Sequence, residues 1–403
     1  MSHEDVIKSL LGIQGVTVTD LKETETDIHI SIQLERKPHV CPCCGELTDT
    51  IHDYRLQKVR DIELRGKHCF LMLRKRRSRC TKCGKRFFER NPVLPRYQRM
   101  TSRMSYHIID LLRDSYSYKT VSDMTGVSSY TVMRRFDMVS FSAGKLPRVL
   151  GIDEFRGNTE KEKFQVILTD IENGEVIDIL PSRRTTALIN CFSSFSKEER
   201  ARVEYFVCDM YYPYKDIQEN LFKKSTLVVD RYHWIRQAIW AMENVRKRIQ
   251  NKYSKKYRLL FKHSKRLLIA PFDSLSKDEK EQCRALLRFS PELEQAHDLK
   301  ERIYTDILTS KTKEQCRERL ARWIYEAELT GLKEFKACIT AYRNWLDPIC
   351  ESVIVKYSNA FTEGCNNKIK VLKRNAYGYK RFHRFRNRIL FIFRNGYRIK
   401  KAS

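Results

Sequence analysis

Between Val149 and Asp230 short apolar runs, helical stretches and one tight turn succeed one another in an order that few folds accept. Val149-Leu-Gly-Ile-Asp-Glu-Phe155 predicts a strand. Phe164–Ile171 and Glu175–Leu180 predict a hairpin across Glu172-Asn-Gly174, because Asn-Gly readily takes the backbone angles of a tight turn. Thr185–Phe195 reads as a helix, Val203–Cys208 as a fourth strand, Tyr214–Phe222 as a helix, and Ser225–Asp230 as a fifth strand. Three strands, helix, strand, helix, strand brings the ends of the first and fourth strands side by side. Sites in α/β sheets form outside carboxyl strand ends, and Asp153 and Asp209 stand at those two ends.

This order is that of a ribonuclease-H-like α/β fold. A third acid, Glu363, falls in the first turn of a helix predicted to start at Ser358 or Asn359, and Glu363, Asn367, Lys370 and Arg374 share one face of it. Two strand-end aspartates and a helix glutamate can hold two hard divalent ions, Mg²⁺ or Mn²⁺, which activate an attacking oxygen and stabilise a leaving one at phosphorus. Taken alone, Glu363 is better explained as compensation of the helix dipole. Asp230 is an auxiliary acid that competes with Asp209 and ranks below it, because the strand of Asp209 is the fourth in the order. Residues 231–350 are charged and helix-like, with Trp234, Trp240, Trp323 and Trp345 as packing anchors, and read as a helical insertion before the glutamate helix.

Upstream, Cys41-Pro-Cys-Cys44-Gly45 and Cys80-Thr-Lys-Cys83-Gly84 are two Cys-x-x-Cys knuckles, each followed by a glycine that lets backbone amides approach the thiolates. Cys41, Cys44, Cys80 and Cys83 predict a tetrahedral structural Zn²⁺ site, against the alternative of unrelated reduced thiols. Cys43 reads as a bystander, and His52 and His68 as surface residues. Lys67–Leu73 is a strand-like run between the knuckles. Arg74, Lys75, Arg76 and Arg77 lead into the second knuckle, either gripping phosphates without reading sequence or forming a solvated charge run. Asn91–Pro95 reads as a linker. Three helical pieces follow: Met104–Leu112, Thr120–Gly126, and one from Ser128 to Phe136 with a serine cap. That is a helix-turn-helix pattern, shared with ordinary helical hairpins. In its DNA-binding form Ser129, Tyr130 and Arg134 face the major groove.

Charge supports a polyanionic partner. The formal net charge is +28, concentrated in Tyr54–Arg99 (16 Lys+Arg, 3 acids) and Gly364–Ser403 (13 Lys+Arg, no acid), whereas the first 53 residues carry 4 bases and 10 acids. Each phosphate neutralised by such blocks releases counterions. A hydrophobic content of 41% argues for a globular chain. No signal-peptide pattern opens the sequence and no apolar run approaches a membrane span. Thirteen scattered cysteines fit a reducing cytosol, so a cytoplasmic protein is expected. The expected domains are a zinc ribbon (1–95), a helix-turn-helix (96–145), a ribonuclease-H-like core (146–235), the helical insertion (236–355) and the rest of the core with the basic C-terminus (356–403).

Together with the knuckles and the helix-turn-helix, Gly151-Ile-Asp-Glu-Phe155, Asp209-Met-Tyr-Tyr-Pro-Tyr214, Val229-Asp-Arg-Tyr-His233 and Asn359-Ala-Phe-Thr-Glu-Gly-Cys-Asn-Asn-Lys-Ile-Lys-Val-Leu-Lys-Arg-Asn-Ala-Tyr-Gly378 resemble the DDE transposases of the ISL-three type of bacterial insertion sequence. The resemblance runs from about Cys41 to Arg398; the last motif is its most specific part. Tyr232 stands where the family has Phe. The resemblance implies Asp153, Asp209 and Glu363 as the acidic triad. It also implies binding of terminal inverted repeats, strand cleavage and transfer into target DNA, a dimer or larger assembly on DNA, and a nucleoid-associated bacterial setting. The rival readings are a non-catalytic DNA-binding regulator, a nuclease of the same fold without strand transfer, and a covalent tyrosine or serine recombinase.

Overall fold

The computed structural model describes residues 12, 15–91, 94, 98–142, 144–254, 258–259, 261–262 and 264–399. The linker at Asn91–Pro95 lies largely outside them: only Asn91 and Leu94 are described. The chain divides into two compact units. One runs to Phe141 and takes in 374–377 and the residues from Gly396 on; the other comprises 142–373 and 378–395.

The first unit is built on a long hairpin. Strands β1 (Val16–Glu23) and β2 (Asp27–Leu34) pair antiparallel, β3 (His39–Val40) and β4 (Leu47–Thr48) close the first knuckle, and β5 (Ile51–Leu64) pairs antiparallel with β6 (Lys67–Arg79). The segment between the knuckles is therefore a ribbon, with β2 alongside β6 in parallel and β7 (Arg86–Phe88) at its end. The alternation of β2 buries Ile28, Ile30 and Ile32 against Leu71 and Leu73 of β6. Each fully buried side chain of this kind contributes roughly 1.5–3 kcal/mol.

Helices α1 (Ser102–Leu111), α2 (Tyr118–Thr125) and α3 (Ser129–Phe136) form the helix-turn-helix. The side chain of Thr101, Ser117 or Ser128 caps each start by accepting from the amide three residues on. Buried Asp61 of β5 accepts from the Thr101 hydroxyl at 2.6 Å and is ion-paired with Arg103, so ribbon and helices are tied through one carboxylate. Strand β8 (Val139–Ser140) pairs with the C-terminal Arg398–Ile399. The last residues thus belong with this unit, which differs from the expected grouping of 356–403 with the catalytic core.

The second unit holds a five-stranded sheet ordered β11-β10-β9-β12-β13, from β9 (Val149–Thr159), β10 (Glu162–Asp170), β11 (Glu175–Leu180), β12 (Tyr205–Cys208) and β13 (Thr226–Val229). The first three strands are antiparallel and the last two run parallel to β9. This is the ribonuclease-H-like order. Between them lie α4 (Thr185–Ser193), α5 (Lys197–Arg200) and α6 (Tyr212–Leu221); α4 and α6 bury Leu188, Phe192 and Tyr214 against Leu150, Ile152, Phe206 and Cys208. The long α7 (Arg231–Asn251) opens the insertion. It continues through α8 (Lys265–Ile269), α9 (Lys277–Leu287), α10 (Pro291–Arg302), α11 (Lys313–Leu329), α12 (Lys336–Asn344) and α13 (Leu346–Ile354). Trp234, Trp323 and Trp345 are buried in it as anticipated, but Trp240 is 54% exposed and lies outside the core. The unit ends with α14 (Ala360–Asn375) and α15 (Phe382–Phe393), and α14 carries Glu363.

Candidate active site

Strand β9 does not stop at Phe155 as predicted but runs to Thr159. What ends near Asp153 is its pairing with β12, which covers Val149–Gly151 against Tyr205–Val207. Extending that register by two residues sets Asp209, just past β12, beside Asp153. The two acids meet there, and Glu154 joins them: one carboxylate oxygen from each of Asp153, Glu154 and Asp209 lies within 4.8 Å of the others. Glu154 was not anticipated. Neighbouring residues of a strand point to opposite faces, so alternation argued against it. Its carboxylate is held by Arg183 Nη1 at 2.9 Å and the Tyr214 hydroxyl at 3.1 Å.

Glu363 stands outside the 4.8 Å cluster, its Oε1 3.8 Å from His233 Nε2. It is still close enough for its charge to act on Asp153. Three anchors fix the start of its helix. The Asn359 amide donates to Asp230 Oδ2 at 2.7 Å, Asn359 Nδ2 donates to the Ile152 carbonyl at 3.2 Å, and the hydroxyls of Thr169 and Thr362 meet at 2.8 Å. The third contact depends on Gly151, since a Cβ there would overlap the Thr169 hydroxyl.

Asp230 has a different task from the auxiliary one expected. Its Oδ1 caps α7 by accepting from the Tyr232 amide at 2.8 Å, and its Oδ2 takes the Asn359 amide. Both oxygens of this buried acid serve backbone amides, and it lies outside the acidic cluster. On α14 the amide that faces the acids is Asn366, not Asn367: Asn366 Nδ2 donates to Asp153 Oδ2 at 2.8 Å. Asn367, Lys370 and Arg374 are exposed, with Lys370 Nζ 3.2 Å from Asn367 Oδ1.

The electrostatics are those of a buried anionic cluster that Arg183 offsets only in part. Burial, with the charges of Glu154 and Glu363 added, pushes Asp153 up to about 7, against the Glu154 amide and Asn366. Burial, then Glu154 and Asp153, pushes Asp209 up to about 7 as well. Burial lowers His233, favouring its neutral form. Asp209 Oδ1 is buried without a hydrogen-bond partner among the described residues. A hard cation satisfies an oxygen set of this kind, so the residues fit a divalent ion.

In the other unit the Sγ atoms of Cys41, Cys44, Cys80 and Cys83 lie within 4.8 Å of one another, with Cys41–Cys83 at 3.6 Å and Cys44–Cys80 at 3.5 Å. A tetrahedron with arms of about 2.3 Å separates its sulfurs by roughly 3.8 Å, so the cluster fits zinc. Gly45 and Gly84 take φ of 73° and 72°, closing each knuckle with an amide onto the Cys41 or Cys80 carbonyl. Burial opposes ionisation of Cys41, yet the Cys44 and Cys43 amides outweigh it and hold the thiol down at about 7. The Cys83 amide likewise lowers Cys80.

Of the basic run, Arg74 is exposed and lies over the Tyr54 ring at 3.9 Å, Lys75 donates to Gln57, and Arg77 pairs with Asp53 at 2.7 Å. Arg76 corrects the expectation of a phosphate grip. It is 8% exposed and spent on Glu89 at 2.9 Å and the Leu34 carbonyl. On α3, Tyr130 is 63% exposed and Arg134 lies over it at 6.0 Å, while Ser129 is half-buried.

A ribonuclease-H-like sheet with acids at the ends of its central strands, together with a four-cysteine ribbon and a helix-turn-helix, defines the class of DDE transposases. Residues 150–389 match a family model described as transposase, of the ISL3 type. Residues 37–83 match the zinc-finger of transposase IS204/IS1001/IS1096/IS1165, and residues 89–140 the helix-turn-helix domain of transposase family ISL3. The chain belongs to the ISL3 family of transposases. It is 24% identical over 395 residues to the transposase for insertion sequence element IS1001 of Bordetella parapertussis, covering 94% of this chain and 96% of that one. A shorter match, 39% over 56 residues, is to an ATP-dependent protease of Lactococcus lactis and spans 14% of this chain. As a DNA transposase the chain binds DNA and carries a zinc ribbon. No helix among the described residues is long and apolar enough to cross a membrane.

Proposed function

We propose that this transposase binds the terminal inverted repeats of an insertion sequence, cleaves a strand at each end, and joins the freed 3′-hydroxyl to target DNA. The observation that carries this reading is the acidic cluster, with its raised carboxyls and the partnerless Asp209 Oδ1. Asp153 and Asp209 are the ligands for Mg²⁺ or Mn²⁺, Glu154 lies within reach of the same ions, and Glu363 completes the site from α14. When bound, one or two such ions supply Lewis acidity at the phosphorus and a nucleophile of lowered pKa.

The remaining work falls to the chain itself. Asn366 orients the Asp153 carboxylate through its amide, and Arg183 and Tyr214 do the same for Glu154. Neutral His233 faces Glu363 without adding positive charge. Exposed Lys370 and Arg374 continue along α14 from Glu363, where they can hold backbone phosphates. Tyr130, Ser129 and Arg134 read the end sequence. The exposed Arg74, with Lys75 and Arg77 beside it, adds contacts that carry no sequence information. Joining two ends calls for a dimer or larger assembly, acting at the bacterial nucleoid.

The test uses Asp209→Asn, which keeps the shape and removes the charge. The variant should shift a duplex carrying the element's own end, in a gel, with wild-type affinity, and fail to nick it in Mg²⁺ or Mn²⁺. Nicking at the wild-type rate would remove Asp209 from the chemistry. Nicking without joining by the wild-type protein would favour a nuclease.

A further inference from the structure

Tyr232, Arg236 and Trp240 recur every fourth residue along α7, the helix that begins at the cap Asp230 and presents His233 to Glu363. They form a ladder about 12 Å long on one helical face. The two rings are 56% and 54% exposed, and the Arg236 guanidinium lies between them, 4.9 Å from the Tyr232 ring and 4.4 Å from the Trp240 ring. Arg236 Nε is buried and has no hydrogen-bond partner among the described residues. The ladder walls a cavity of about 500 Å³, with Ile235, Ile239 and Tyr304 among its lining. The acid at its far end, Glu243, is already neutralised by Arg246 at 2.8 Å.

A packing role explains none of this. An exposed tryptophan and tyrosine bracketing an arginine with an unused donor make a surface that stacks flat rings and offers a proton to an acceptor on them. Proteins that hold single-stranded nucleic acid use this combination: bases stack on aromatic faces, and arginine adds attraction to phosphate and ring alike. Enzymes that must reach an atom inside a duplex take a nucleotide out of its stack into such a pocket.

We propose that this cavity receives an unstacked nucleobase from the strand being cut, next to the cleaved phosphate. The base stacks on Trp240, and Arg236 donates from Nε to a base or phosphate oxygen. The assignment rests on the strand-cleavage reading above and adds to it a subsite for one nucleotide. It places the energetic cost of opening the duplex end against stacking on α7, so the DNA is held open where the acids act.

The test scans single abasic sites through the nucleotides flanking the cleaved position of an end duplex and measures Kd for the full-length wild-type protein, Trp240→Ala and Trp240→Phe. At one or two positions, loss of the base should weaken wild-type binding about 5- to 150-fold, the range that base–aromatic stacking supports. Trp240→Ala should bind the intact end more weakly by a similar factor and be indifferent to the abasic site, while Trp240→Phe should keep most of the wild-type contrast. The same contrast in Trp240→Ala as in wild type, or none in wild type at any position, would overturn the proposal. If the wild-type protein nicks none of these duplexes, the cleavage reading fails on its own account, and the Kd contrast still decides whether the cavity takes a base.

Discussion

Two carboxyls that titrate near neutrality make metal binding a proton-releasing event. Asp153 and Asp209 are both pushed up to about 7 without metal, and a bound divalent ion needs both ionised. A group of that pKa is about nine-tenths protonated at pH 6 and about one-tenth at pH 8. Binding Mn²⁺ should therefore displace between one and two protons at pH 6 and about 0.2 at pH 8. Titration calorimetry in paired buffers of unlike ionisation enthalpy counts those protons directly, and Asp209→Asn should release at most one. The sign carries over to stability. Each acid is raised above its unfolded value, so its contribution is complete below about pH 4 and is lost as pH rises through about 7. The metal-free protein should thus have a higher Tm near pH 5 than near pH 7.5, and added Mg²⁺ should raise Tm more at pH 7.5. Equal proton release at pH 6 and pH 8 would refute this account of the cluster.

Other perturbations separate the remaining roles. Cys80→Ser should lose stoichiometric zinc, measured by atomic absorption, and with it the protection of the knuckle amides from hydrogen exchange; retained zinc would remove Cys80 from the ligand set. Asp230→Ala deletes two charge-assisted hydrogen bonds to amides, worth about 1.5–3 kcal/mol each, so denaturant midpoints should fall while the Mn²⁺-linked proton release persists. Unchanged stability with lost metal binding would make Asp230 a ligand after all. Arg74→Ala should weaken DNA binding and reduce the slope of log K against log salt by about 1. Arg76→Ala should cost stability on the scale of a broken buried ion pair, about 3–5 kcal/mol, and the opposite assignment of these two effects would mean that the ribbon faces are misread.

What could be read in the sequence was what depends on neighbours in the chain. The turn at Glu172–Gly174, the serine cap of α3 and the paired knuckles are local signals, and each element formed within a few residues of its expected bounds. What escaped depends on partners far away in sequence. Glu154 joins the acids because Arg183 and Tyr214, 29 and 60 residues downstream, draw its carboxylate in. Arg76 looked like one cation among several until Glu89 and Leu34 closed around it, and the alternation of β6 did not point to it, because the buried positions shift phase from Cys69, Leu71 and Leu73 to Arg76 and Ser78. Helical periodicity gave the spacing of Glu363, Asn367, Lys370 and Arg374 but not the roll of α14 on the sheet, and the roll decides that Asn366 meets Asp153.

That roll is itself held by residues with no part in the chemistry. The insertion from α7 to α13 separates β13 from α14, yet Asp230 grips the Asn359 amide across 129 positions, and Asn359 in turn holds the Ile152 carbonyl beside Asp153. One carboxylate starts both helices that border the acids: α7, with His233 and the aromatic ladder, and α14, with Glu363. Arg231, at the start of α7, also donates to the Ser352 and Val355 carbonyls, so the two ends of the insertion are held together. Asp230, read from the sequence as an auxiliary acid ranked below Asp209, accepts from the amides of Tyr232 and Asn359 and so ties the starts of α7 and α14 together. This is why an acidic strand end, a following His and a distant Asn-Ala-Phe-Thr-Glu segment belong together as one geometric unit.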